Sequence, residues 1–277
     1  MNFEELMIQN AKGKPVNYDK TDIIINNNKE LDSLDGIEKF KKLKSLQIVL
    51  CFKLSEIKNL PDSIEILRLG KYTVNNYRSN EILSIDRFPS NVKEIDLANN
   101  NKLAKIPRVP KTCESLNMSN TKIEDFDVDG GENLKDLNIE ITQISKFENA
   151  YTKYPNLEYL TFGDTYIEKL ENLPSSIKKI NGCYTVNKKL NKLVLLDFSN
   201  LENIEKLHCY FRNGMSAKNL KEVKVNKHIV SLLAKDYDRK IFDFSPSELF
   251  VQVYLNKDSA ERGAASIMDT GLFDFKQ

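Results

Sequence analysis

Two histidines, His208 and His228, and four cysteines, Cys51, Cys113, Cys183 and Cys209, are the residues of this 277-residue chain best suited to nucleophilic or metal chemistry. His208 and Cys209 are adjacent, and a thiol beside an imidazole base is the pairing that nucleophilic catalysis uses. Neighbouring residues of a strand point to opposite faces, so an extended chain here separates the two side chains and buries Cys209 on the inward side. The cysteines are widely spaced, with no CxxC pair and no histidine at zinc-ligand spacing. The phosphate-binding GxxxxGKS/T loop, GxGxxG after a strand, GxSxG and HExxH are missing as well. The expectation is a non-catalytic chain without metal or cofactor, whose thiols are reduced and structural.

Composition narrows the partners. Lys and Arg number 41 against 40 Asp and Glu, for a net charge of +1 and a pI near 7.5. Binders of nucleic acid or of anionic membranes usually carry a basic surplus, so neither class fits. Mean hydropathy is -0.46, and no apolar run approaches the roughly 18 residues that span a bilayer. Acidic residues occupy the amino-terminal MNFEELMIQNAKGK, where a secretory signal carries basic ones. These features predict no membrane insertion, no small-molecule substrate and a cytoplasmic location, which for an effector or viral protein means the host cytoplasm.

The elements that would hold any binding residues follow from an internal repeat. Leu43, Leu46, Ile48, Cys51, Leu54 and Ile57 give the pattern LxxLxLxxCxxLxxI. It recurs at Val92, Ile95, Leu97, Asn100, Leu103, Ile106; at Cys113, Leu116, Met118, Thr121, Ile123, Phe126; at Leu134, Leu137, Ile139, Thr142, Ile144, Phe147; and at Leu157, Leu160, Phe162, Thr165, Ile167, Leu170. Weaker copies start at Ile23, Ile64, Ile177, Ile204 and Leu220. LxxLxL is a short strand with alternate residues inward, and the polar or small residue after it (Asn28, Cys51, Asn100, Thr121, Thr142, Thr165) sits where the chain turns. There a short side chain can satisfy backbone groups that would otherwise be buried unpaired.

About ten copies at a spacing of roughly 20 to 28 residues lie in the leucine-rich repeat range, and the chain resembles that family over about three quarters of its length. The resemblance implies a mostly β, α/β-type right-handed solenoid with a concave parallel sheet. Proline precedes four strands, in LPDSI (Pro61), FPSNV (Pro89), VPKTC (Pro110) and LPSSI (Pro174), which predicts an extended rather than helical convex side. These short LP-containing copies are similar to the repeats of bacterial effectors and to FNIP-type repeats. Some of those effectors carry a ubiquitin ligase domain with a catalytic cysteine after the repeats, whereas residues 227 to 277 here contain none.

GKYTVN (70 to 75) and GCYTVN (182 to 187) each follow a proline-led strand and open a longer repeat, predicting protruding loops around 75 to 84 and 187 to 201. The expected organisation is an amino-terminal cap at 1–20, a solenoid at 21–226, and a carboxy-terminal cap and tail at 227–277. Solenoid ends need such covers. The cap and tail would include an amphipathic helix through Ile229, Leu232, Leu233, Tyr237 and Ile241, and a strand from Leu249 to Leu255.

The register then gives the outward residues of the sheet by alternation. The predicted contact residues are Arg68, Glu94, Asp96, Asn117, Asp136, Asn138, Glu140, Tyr159, Thr161, Lys179, Lys206, His208 and Tyr210. This face is acidic in the middle and basic later, a pattern able to orient a protein partner, and its tyrosines suit interface anchors. The leading expectation is a protein-binding module. The alternatives are an effector or adaptor recruiting a separate enzyme, such as a ubiquitin ligase component, and a structural component of a viral particle.

Overall fold

A computed structural model describes residues 1–70, 80–182, 192–210, 222–226, 242–243, 250–253 and 273–274. The chain divides into two compact bodies, Met1–Asn138 and Ile139–Gln277.

In the first body the short strands Asp22–Asn26, Ser45–Val49, Ile66–Arg68, Glu94–Asp96, Ser115–Asn117 and Asp136–Asn138 each pair in parallel with the next. Their central residues stay in register, Ile23 beside Leu46, then Leu67, Ile95, Leu116 and Leu137. All six are buried. Parallel pairing puts identical repeat positions side by side, so one apolar column per position runs through the stack. The column entering the strands (Leu43, Ile64, Val92, Cys113, Leu134) and the one leaving them (Ile48, Leu69, Leu97, Met118) are buried too. The second body repeats the arrangement with Tyr159–Thr161, Lys179–Asn181, Lys206–Tyr210 and Phe242–Asp243. Leu160, Ile180 and Leu207 form its central column.

The return segments are extended, as the prolines require. The strand Glu56–Ile57 pairs with Ser84–Ile85 in the first body. In the second, Lys169–Leu170, Leu195–Phe198, Glu222–Val225, Phe250–Val253 and Phe273–Asp274 form a parallel sheet of their own. Each proline accepts a turn bond from the first inward residue of its strand: Ile64 to Pro61, Val92 to Pro89, Cys113 to Pro110 and Ile177 to Pro174, at 3.0 to 3.2 Å. The residue just before that inward position bonds back to the preceding turn of the chain. Ser63 Oγ donates to the Leu43 carbonyl, Thr112 Oγ1 to Val92 and Ser176 Oγ to Leu157, each at 2.8 Å. Asn91, Asn133 and Asn203 do the same with their side-chain amides.

The helix Phe3–Ala11 covers the start of the first body. Asn2 and Glu5 form a reciprocal capping box, with Glu5 N–H to Asn2 Oδ1 at 2.8 Å and Asn2 N–H to Glu5 Oε2 at 2.9 Å. Phe3, Leu6 and Met7 are buried, Phe3 packing edge-on against Phe40 at 5.4 Å between ring centres. The helix expected through Ile229 to Ile241 lies outside the described residues.

Two of the sequence expectations change. The loops predicted at 75–84 and 187–201 are shorter on their carboxy-terminal sides: Asn80 and Ile82 are buried, Ser84–Ile85 is a strand, and Leu195–Phe198 belongs to the second sheet. The cause is that the chain rejoins the apolar columns at Ile82 and at Leu193, both buried. Residues 71–79 and 183–191 of those segments lie outside the described residues. Gly70 leads into the first of them with its Cα against the next repeat; a Cβ there would lie 2.2 Å from the Ala98 carbonyl oxygen. Only glycine permits that approach.

Candidate protein-binding face

Alternation along each strand turns the polar residues out on the side opposite the apolar columns. In the first body they fall into two rows across the sheet: Ile66, Glu94, Ser115 and Asp136 in one, Arg68, Asp96, Asn117 and Asn138 in the other. The structure therefore gathers Arg68, Glu94, Asp96, Asn117, Asp136 and Asn138 on one face. In the second body Tyr159, Lys179 and Lys206 share a row, and Thr161, Asn181 and His208 the next. Lys179 Nζ stands 5.0 Å above the ring of its cross-strand neighbour Tyr159, a cation–π contact. His208 and Tyr210 belong to a described strand, but their side chains lie outside the described residues.

Glu140 departs from its expected place. It sits beyond the strand Asp136–Asn138, in the following turn. Burial together with the nearby Asp164 carboxylate pushes its carboxyl up to about 7. Asp164, fully buried, has φ of 52° and occupies the left-handed turn position before Thr165.

Arg68 makes a two-pronged pair with Glu94, Nε to Oε1 at 2.6 Å and Nη2 to Oε2 at 3.0 Å. Its direct cross-strand neighbour is Asp96, which accepts the Ala98 N–H at 2.9 Å instead. Desolvation raises the carboxyl of Asp96, and that of Asp136, above the ordinary range; Glu94 adds to both by repulsion.

Asparagine, serine and threonine handle the interior turns. Asn100 donates from Nδ2 to the carbonyls of Leu97 at 2.8 Å and Leu69 at 2.9 Å. Thr121 and Thr142 donate to Met118 and Ile139. Asn80, which sequence reasoning passed over, plays the same part, donating from Nδ2 to the carbonyls of Ile48 and Leu69. The missed signal was the phrase Asn-x-Ile/Leu at Asn80–Ile82. A second missed signal is one column of the repeat, the residue preceding each strand. Lys44, Glu65, Lys93, Glu114 and Lys135 alternate in sign, as do Glu158, Lys178 and Glu205. Glu65 pairs with Lys44 at 2.7 Å and Lys93 at 2.9 Å, Glu114 with Lys135 at 2.9 Å, and Glu158 with Lys178 at 2.8 Å.

Catalytic groups are scarce. Cys51 and Cys113 are buried, and desolvation raises both thiols, Cys113 to about 12, which keeps it protonated and inert. Among the described residues no group of three or more His, Cys, Asp or Glu could hold a metal ion, and no helix is long and apolar enough to cross a membrane. A cleft of about 510 Å³ in the second body is lined by Lys146, Glu148, Tyr166, Glu168, Lys169 and Lys192, among others. Its mixed charges select no single ligand chemistry.

The parallel strands stacked at the repeat period also match a solved structure, the leucine-rich repeat domain of APL1B. That likeness has a TM-score of 0.51 over 92% of this chain and 73% of that one, at 12% identity. The chain has the leucine-rich repeat fold. YopM from Yersinia enterocolitica aligns with a TM-score of 0.38 over 84% of this chain and 55% of its own, at 17% identity. InlJ from Listeria monocytogenes gives 0.39 over 92% and 67%, at 15% identity. No family model matches. In sequence, a protein of Arabidopsis thaliana described as a "probable disease resistance protein" is 24% identical over 202 residues. That segment is 72% of this chain, and the match spans only 11% of the relative.

Proposed function

We propose that this chain of leucine-rich repeat fold is a non-catalytic module that binds a partner protein on the exposed sheet face of its bodies, through Arg68, Glu94, Asp96, Asn117, Asp136 and Asn138 in the first and Tyr159, Thr161, Lys179, Lys206, His208 and Tyr210 in the second, with Glu140 contributing from the turn after Asn138. The observation that carries this reading is the pair of rows across the first body: charged and amide side chains stand side by side on strands whose other face is wholly apolar. A rigid scaffold of this kind presents contacts with little ordering cost on binding. The protonated, buried thiols support a binding rather than a chemical role.

Affinity capture from lysate of the native source or its host tests it, using wild type beside an Asp96→Lys, Glu140→Lys variant whose folding is verified by circular dichroism. A partner held by wild type and lost by the folded variant is the expected result. Capture that survives this variant but fails when an outer-face residue is changed overturns the reading.

A further inference from the structure

We infer that the sheet face of the first body takes a cationic polypeptide segment in extended form, one basic side chain meeting Asp96 and a second meeting Asp136. This rests on the sheet face being the binding face and names the chemistry of its occupant.

From the strand Ile66–Arg68 to Asp136–Asn138 the two rows carry four charged groups, Arg68, Glu94, Asp96 and Asp136. Both prongs of Arg68 go to Glu94, so Asp96 feels the guanidinium charge without pairing with it, and Arg68 does not figure among the charges acting on Asp136. Asp96 spends one oxygen on the Ala98 N–H, and among the described residues neither Asp96 nor Asp136 has an ion pair. Asp96 is half-buried, Asp136 is exposed, and both feel the charge of Glu94. A cation docking at Asp96 meets an anion already stripped of part of its hydration, so the attraction there is stronger than at an open surface.

Spacing selects the kind of cation. Asp96 and Asp136 lie two strands apart and two residues out of step, which places their Cα atoms about 12 Å from each other for strands about 4.8 Å apart with a 3.3 Å rise. One metal ion cannot bridge carboxylates that far apart. An extended peptide can, because alternate side chains share a face and residues four apart are about 13 Å distant. Between the two anions stand Ser115 and Asn117. The Asn117 Oδ1 accepts the Ser119 N–H, and its amide N–H groups are the donors for a peptide carbonyl. The sign of the face excludes nucleic acid and anionic lipid as occupants.

The test is fluorescence anisotropy with the full chain and a labelled peptide of alternating lysine and serine, beside the same peptide with its lysines acetylated. Wild type is compared with the double variant Asp96→Asn, Asp136→Asn and with a control, Glu124→Gln, Asp125→Asn, that removes the same charge from a return segment. A single Asp136→Asn variant, at an exposed site, guards against misfolding of the double one. The expected result is saturable binding of the lysine peptide by wild type, weakened about tenfold in the sheet variant and unchanged in the control, with no binding of the acetylated peptide. Equal weakening in both variants, equal binding of the acetylated peptide, or no binding by wild type overturns the inference. If lysine peptides fail while partner capture still depends on the sheet face, only this inference falls. Capture that depends on the outer face removes the proposed function itself.

Discussion

The backbone N–H of Cys51 donates to Oδ1 of Asn80 at 2.8 Å, and the same asparagine donates from Nδ2 to the carbonyls of Ile48 at 2.8 Å and Leu69 at 2.5 Å. One buried amide therefore closes three backbone valences in two successive repeats. Asn80→Ala leaves those groups unpaired, and the expected loss is about 3 kcal/mol. Urea denaturation checks it; a midpoint equal to wild type would mean that water or a shifted turn replaces the amide.

The residue before each interior turn adopts a left-handed backbone, φ being 54° at Asn27, 65° at Asn99 and 55° at Asn120. Asparagine tolerates this region well. Ile141 occupies it too, at 55°, where a β-branched side chain is strained. Ile141→Asn should raise stability by about 1 kcal/mol, read as a higher thermal midpoint.

Glu140, held up to about 7 by burial and Asp164, binds its proton more tightly folded than unfolded. Its cost to stability is absent below the ordinary glutamate range, grows as pH rises from there, and is complete above about 7. Glu140→Gln should therefore leave stability near pH 4 unchanged and raise it by about 2 kcal/mol at pH 8, a figure reduced from the full shift for solvent screening. Melting curves across that range decide; an equal gain at both pH values rules out ionisation as the cause.

The alternating column before the strands should make stability salt-sensitive. Hydrogen bonds and charge from Lys44 and Lys93 hold Glu65 down to about 2. Its contribution is present above the ordinary glutamate range and fades as pH falls toward about 2. Glu65→Lys sets three like charges in a row and should lower the thermal midpoint at low salt. In 1 M salt, where the screening length is about 3 Å, that difference should nearly vanish.

What the sequence determined by itself was local and periodic. LxxLxL states which residues point inward, so the columns through Leu46, Leu67, Ile95, Leu116 and Leu137, and the outward places of Arg68, Glu94, Asp96 and Asp136, were legible without coordinates. The prolines likewise announced the extended return segments. Contacts between repeats were decided only by the tertiary structure. Arg68 reaches diagonally to Glu94 rather than straight across to Asp96 because a forked guanidinium seeks two carboxylate oxygens at once and one oxygen of Asp96 is already held by the Ala98 N–H, a contact that spacing does not encode. Asn80 joins Cys51 because its place in the column is set by where the backbone enters the stack again at Asn80 and Ile82, both buried. Glu140 moved off the predicted strand for a related reason: the strand stops at Asn138, and the alternation that placed it outward stops there as well.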